Sequence, residues 1–322
     1  MEPAKMDPAD ARPARLAADA AGFARAATIL VAGGLVALPT ETVYGLAARA
    51  DSADAVATIY RAKGRPSFNP LIVHVPDCAA AERLAAFDAR ARLLAQRFWP
   101  GPLTMVLPLL PGAAIASSVT AGLATIAIRV PAHPVMRAVL TACGLPLAAP
   151  SANRSGAVSP TTAEHVVASL GARIDAVVDG GACAAGIEST IVALRDDGSW
   201  QILRPGPIGH DALAEVLGTS ALAVTDHAIE APGQLASHYA PGKPVRLDAL
   251  EAAADEFLIG FGAISGHASL SPRGDPAEAA SRLYALLHRA AAAPEPRIAI
   301  APIPDHGIGT AINDRLRRAA AG

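Results

Sequence analysis

Apolar residues fall in short runs and helix-spaced faces that alternate along the chain, which predicts an α/β protein. A loose Pro- and Ala-rich tail over residues 1–15 gives way to a helix over 16–32, halted by Gly33 and Gly34. The apolar run 35–39 reads as a short buried strand leading into Thr40-Glu41-Thr42-Val43-Tyr44-Gly45. Asp51 or Ser52 can cap a helix whose Val56, Ile59 and Tyr60 share one face and which Gly64 ends. A long helix is expected over 80–98, closed by Trp99-Pro100-Gly101-Pro102. Strands follow at 103–109 and 125–130, then a helix over 134–143 and a strand over 147–149. Thr161 with Glu164 three positions on forms a capping box for a helix ending at Leu170-Gly171. Further strands lie at 176–178 and 190–194, and Asp197-Gly198 turns the latter into a hairpin with 200–203. Strands interleaved with helices, plus a hairpin, specify a domain on a mixed sheet over residues 16–210. The texture then changes to a short helix and a Pro/Gly-punctuated linker over 211–242, containing Ala231-Pro232-Gly233 and an exposed-looking His238-Tyr239. Residues 243–322 read strand, helix, strand, helix, a second and smaller α/β unit.

Composition narrows the classes. Hydrophobic residues make up 52% of 322, but only 4% are aromatic, so the core is built from Ala, Val, Leu and Ile. Lys and Arg number 27 against 29 Asp and Glu, which argues against a bulk nucleic-acid binder. An anionic ligand must then be met by a few concentrated cations. Cys78, Cys143 and Cys183 form neither a CxxC pair nor a disulfide framework, pointing to a reducing cytosol. The N-terminus does not read as a signal peptide, and no run approaches the ~18 apolar residues of a membrane span, so a cytoplasmic protein without membrane contact is expected.

Four clusters could carry chemistry. Lys63-Gly64-Arg65-Pro66-Ser67-Phe68-Asn69-Pro70, running into Leu71 to Val75 with His74, holds two cations in a proline-stiffened turn. Thr40 to Tyr44 places hydroxyls and a carboxylate at a strand end. Ala149-Pro150-Ser151-Ala152-Asn153-Arg154-Ser155-Gly156, with Ser159 beyond it, is a polar loop after a buried strand. Gly186-Ile187-Glu188-Ser189-Thr190 is followed by Arg204-Pro205-Gly206-Pro207, and Arg129 lies in a strand aimed at the same space. Taken singly, each has a structural alternative: a solvated basic loop, turn residues bonding their own backbone, a core histidine, an Arg paired with a buried Asp. Four in one domain favour an anionic small-molecule site. There is no Walker A motif, Gly260 to Gly266 misses dinucleotide spacing by one residue, and HExxH, metal-spaced Cys/His and a nucleophile elbow are absent from the sequence. Positioning and charge neutralisation remain, the usual means of phosphoryl and nucleotidyl transfer.

Read together, these motifs resemble the YrdC-like family, and within it the two-domain L-threonylcarbamoyladenylate synthases. The matching segments are Pro39 to Leu46, Lys63 to Pro66, Asn69 to His74, Ser151-Ala152-Asn153 with Ser155-Gly156, Glu188-Ser189-Thr190 and Arg204-Pro205-Gly206. His238-Tyr239-Ala240-Pro241 and the C-terminal unit resemble the long form, although Ala231-Pro232-Gly233-Gln234 stands where the family tends to have Ser-Pro-Gly-Met. The resemblance implies a twisted mixed sheet with flanking helices and a concave site, plus a Rossmann-like C-terminal domain. It implies that threonine and bicarbonate or CO2 give a carbamate that attacks the α-phosphate of ATP, releasing pyrophosphate. The product passes to the tRNA threonylcarbamoyl transferase machinery. On the ATP side it places Lys63 and Arg65, also the catalytic cations, with Asn69, Thr125, Ser151, Asn153, Ser159, Arg204, Ala231 and Tyr239. On the threonine side it places Thr42, His74, Arg129, Ala149 (through its backbone) and Ser189, with Arg129 clamping the carboxylate. The linker near Ala231 and Tyr239 would close over the nucleotide. Mg2+ would arrive with ATP, with no dedicated metal site. Two alternatives stay open: an RNA-binding module touching tRNA weakly, and a carbamoyl transferase of the hydrogenase-maturation type.

Overall fold

A computed structural model describes residues 12–218, 230–234 and 238–322. Most of the expected tail and the middle of the expected linker lie outside the described residues. Among those described, ten strands form one mixed sheet. They are β1 (Ala14–Ala17), β2 (Val36–Pro39), β3 (Tyr44–Arg49), β4 (Ile72–His74), β5 (Leu103–Pro108), β6 (Thr125–Arg129), β7 (Leu147–Ala148), β8 (Ala176–Asp179), β9 (Thr190–Leu194) and β10 (Trp200–Arg204). Their order is β1-β8-β2-β3-β7-β4-β6-β5-β9-β10. The flanking helices are α1 (Ala20–Val31), α2 (Ala53–Lys63), α3 (Cys78–Glu82), α4 (Ala89–Phe98), α5 (Pro134–Cys143), α6 (Ala163–Leu170) and α7 (His210–Leu217).

Successive strand residues point to opposite faces and build two cores. On β2 and β3, Ala37 and Leu46 join Ile59, Val73 and Leu94 on one face, whereas Val36, Leu38 and Ala47 join Leu30, Met136 and Leu147 on the other. Ser52 caps α2 by accepting from the Ala55 amide, and Gly64 ends it in the left-handed region at φ 60°. That turn delivers Arg65 to the cleft described below.

Several sequence expectations are corrected. β1 lies where the pattern reads tail and early helix, and α1 starts only at Ala20, capped by Asp19. β1 is a largely exposed edge strand that pairs in parallel with β8, so neither alternation nor a local turn marks it. Tyr44 to Arg49, to which the pattern assigns no strand, is β3, antiparallel to β2. The long helix over 80–98 is two helices, because Asp88 caps a fresh start at α4. Thr162, not Thr161, caps α6, and Glu164 turns outward to pair with Arg15.

The second unit is a parallel sheet in the order β11-β14-β12-β13. Its elements are β11 (Val245–Arg246), β12 (Glu256–Gly260), β13 (Ala268–Ser269), α8 (Pro276–Ala292), β14 (Arg297–Ile300) and α9 (Ile308–Ala320). It docks on the large unit: Val43, Val158 and Ile187 share a buried cluster with Tyr239, Ala280 and Tyr284. His165 and His288 stack across the same boundary, ring centroids 3.9 Å apart. The exposed pair expected in the linker is corrected too, since His238 and Tyr239 are only 8% and 1% exposed. Among the described residues no helix is long and apolar enough to cross a membrane.

Candidate active site

The ends of β2, β4, β6 and β10 open on one cleft. At one end Arg129 leaves β6 with each of its three guanidinium nitrogens making one hydrogen bond. Its Nε donates to the Gly101 carbonyl (3.1 Å), Nη1 to Thr42 Oγ1 (3.0 Å) and Nη2 to Glu41 Oε1 (2.6 Å). Glu41 Oε2 also accepts from the Ala132 amide. Burial would raise the Glu41 carboxyl, but Arg129 outweighs it and holds the pKa below the usual value. Thr42 Oγ1 lies 2.8 Å from Thr40 Oγ1, which donates to the Val43 carbonyl and locks the turn between β2 and β3. His74 pairs in register with Arg129 across β4 and β6. Burial, with Arg129 beside it, pulls the imidazole down to about 3, so it is neutral at physiological pH.

The other end is built differently. Lys63, at the last turn of α2, is 3% exposed, and its Nζ donates to the carbonyls of Ser151 (2.6 Å) and Asn153. Arg65 donates to the carbonyls of Asn69 (3.2 Å) and Pro70 (2.9 Å). Arg204, from the end of β10, donates to the Ser189 carbonyl (3.1 and 3.0 Å) and Ser189 Oγ (3.1 Å). Among the described residues, none of these three has a carboxylate within ion-pair distance. Burial pulls Lys63 well below the ordinary lysine value and Arg65 down to about 10. Holding three buried cations on carbonyl and hydroxyl oxygens without a carboxylate is unfavourable, and an anionic ligand would reverse that.

The linker completes the wall. Gly233, at φ 85°, lies so close that an added Cβ would meet Arg204 Cδ at 2.8 Å and Tyr239 Oη at 3.0 Å. The rings of His238 and Tyr239 stack at 4.1 Å. Among the described residues, buried polar atoms without a partner gather around the cleft: Asn69 Oδ1, His74 Nδ1, Asn153 Oδ1, Tyr239 Oη and Arg315 Nη2. Such groups call for a ligand or solvent to satisfy them.

Of the residues expected in the site, Thr42, Arg65, His74, Arg129, Ala149, Ser151, Ser189, Arg204 and Tyr239 line the cleft. Lys63, Asn69 and Asn153 sit immediately behind its wall, tied to Ser151, Arg65 and Ala157 respectively. Ser159 is fully buried and donates to Glu188 Oε1 at 2.6 Å, so it faces that carboxylate rather than the cavity. Ala231 packs in an apolar cluster with Ile191 and Leu203, and Thr125 lies at the far end of β6 from Arg129. Sequence reasoning did not assign Glu41, Glu188 or Arg315. Glu41 and Glu188 stand inside motifs it quoted, but their long-range partners are invisible in sequence.

A family model described as telomere recombination matches residues 28–206. A second, for the threonylcarbamoyl-AMP synthase C-terminal domain, matches residues 208–321. The chain is 40% identical to the threonylcarbamoyl-AMP synthase of Bacillus subtilis over 93% of each chain. Its fold superposes on that of Pyrococcus abyssi Sua5 complexed with L-threonine with a TM-score of 0.87 and 33% identity, covering 96% of this chain and 97% of that one. A His/Tyr-to-Ala double variant of P. abyssi Sua5 matches with the same TM-score, at 31% identity and 96% of both chains. The chain belongs to the threonylcarbamoyl-AMP synthase family, nucleotidyltransferases, in its two-domain form.

Proposed function

We propose that this chain condenses L-threonine, bicarbonate or CO2, and ATP into L-threonylcarbamoyladenylate. The threonine nitrogen adds to CO2 and loses a proton, giving a carbamate. A carbamate oxygen then attacks the α-phosphorus, the bond from that phosphorus to the β-phosphate bridge breaks, and pyrophosphate leaves. The observation that carries this reading is the buried set Lys63, Arg65 and Arg204, which among the described residues has carbonyl and hydroxyl partners but no carboxylate within ion-pair distance. A triphosphate supplies the missing negative charge, and each charged hydrogen bond contributes ~1.5–3 kcal/mol. Arg129 keeps two N–H groups beyond those it spends on Gly101, Thr42 and Glu41, enough to receive the amino-acid carboxylate.

Magnesium belongs to the substrate, MgATP. Glu41 and Glu188 are both committed to arginines, and no group of three His, Cys, Asp or Glu among the described residues could hold a metal. The linker segment around Gly233 and Tyr239 acts as a lid that keeps water from the mixed anhydride. The product goes to the tRNA threonylcarbamoyl transferase machinery, in a cytoplasmic pathway modifying the adenosine beside the anticodon. Incubation with ATP, bicarbonate and each amino acid in turn, assayed for pyrophosphate, tests the reading. Release with threonine, and more weakly with serine, but not with valine supports it, whereas equal release with every amino acid or none would overturn it.

A further inference from the structure

Helix α9 carries three arginines in its last two turns, which in sequence look like a solvated basic face. Arg317 is exposed there, within 3.9 Å of Asp305, and Arg318 pairs with Asp314. Arg315 differs: it is 0% exposed and reaches out of the second unit into the first. Its Nε donates to Glu188 Oε2 at 2.9 Å and its Nη1 to Asp314 Oδ2 at 2.7 Å. Its guanidinium carbon lies 5.4 Å from the Tyr239 ring centroid, a cation–π contact. Glu188 lines the cleft and is held from both units. Ser159 donates to Oε1 at 2.6 Å, while Tyr284 of α8 donates to Oε2 at 2.8 Å. Burial alone would raise the Glu188 carboxyl, but Arg315 and Arg204 hold it down to about 2.

We propose that Arg315 is a positioning residue for the synthase, fixing Glu188 and Tyr239 so that the nucleotide end of the cleft is complete only with the second unit docked. Without Arg315, Arg204 is the remaining arginine whose charge favours the Glu188 carboxylate. That attraction would pull Arg204 away from the Ser189 carbonyl and hydroxyl that now aim it. Tyr239 would also lose the cation against its face. Its backbone sits at φ 64°, unfavourable for a residue with a Cβ and kept only when the surroundings enforce it. One substitution in the second unit therefore disturbs two groups at the cleft, neither of which it would touch through substrate.

The proposal rests on ATP as the ligand at that end, and its test reads ATP binding apart from turnover. Arg315→Met should weaken the ATP Kd and raise the ATP KM about tenfold or more, with the threonine KM within about twofold. Arg315→Lys should recover part of the loss. A buried carboxylate stripped of its cation can unfold a protein, so the double variant Arg315→Met with Glu188→Gln leaves no charge unpaired there. It should fold and bind ATP no worse than either single variant, because the two residues act as one unit. Lower melting temperature with unchanged KM for both substrates, or losses that add in the double variant, would overturn the proposal. A wild-type protein that binds ATP yet releases no pyrophosphate would defeat the synthase reading and leave this comparison standing.

Discussion

The two ends of the cleft solve opposite electrostatic problems. At the Arg129 end every charge has a partner: Glu41 matches the guanidinium at 2.6 Å, and both are tied to the backbone. At the Lys63 end three cations stand on carbonyl oxygens, with burial working against each of them. A balanced end suits an amino acid whose own charges nearly cancel. A cationic end suits a polyanion and is strained until one arrives. Stability and function thus coincide at one end and oppose each other at the other.

Amino-acid choice should give the largest effect. If threonine binds at the polar, balanced end containing His74, as proposed above, that end should reject valine by about 10^4-fold in kcat/KM, since losing the hydroxyl leaves buried groups unpaired. Serine should be only weakly disfavoured. Equal use of valine and threonine would remove the distinction between the ends. Next comes a matched pair of arginine substitutions. Arg65→Met removes two charged hydrogen bonds and should cut pyrophosphate release at least ~100-fold while leaving the melting temperature unchanged or raised. Arg129→Gln should raise the threonine KM about tenfold or more and also lower the stability of the fold, because Glu41, only partly exposed, loses its cation. Denaturation curves of the two variants decide the matter, and a fall in stability for both would mean the ends do not differ.

These contrasts show how far the sequence could be read. Motifs around Lys63, Ser151 and Arg204 were legible because cations and small polar residues at strand ends have few structural uses. Helix α5 was legible to the residue, since Pro134 opens it and Gly144 closes it in the left-handed region. Strand β1 was not, because a short exposed edge strand makes sense only once β8 lies beside it. Glu188 and Arg315 were illegible for the same reason at side-chain level. Nothing near Arg315 distinguishes it from Arg317 and Arg318, and its partner comes from the other unit.

A smaller effect follows from acidification. Burial holds His74 and His238 at about 3, against 6.5 in an unfolded chain. Between those values the unfolded state binds more protons, so stability is complete above pH 6.5 and is lost as pH falls toward 3. Urea midpoints should fall steadily from pH 7 to pH 5, and a flat profile would show that these rings are not neutral in the fold. The smallest effect sharpens the comparison most. Burial lowers the Lys63 pKa and a bound triphosphate should raise it again, so ATP binding should take up a fraction of a proton. Calorimetry in buffers of different ionisation enthalpy measures this, and Lys63→Met should abolish it.

Cations that gather a triphosphate do not distinguish it from its leaving group. On the reading above, pyrophosphate carries away more negative charge than the adenylate it leaves behind, so Lys63, Arg65 and Arg204 should retain it well. Added pyrophosphate should then inhibit in competition with ATP, and inhibition indifferent to ATP would contradict this. The same cluster that lets the reaction start also lets it run backward, so its direction in a cell rests on whatever hydrolyses pyrophosphate, outside this fold.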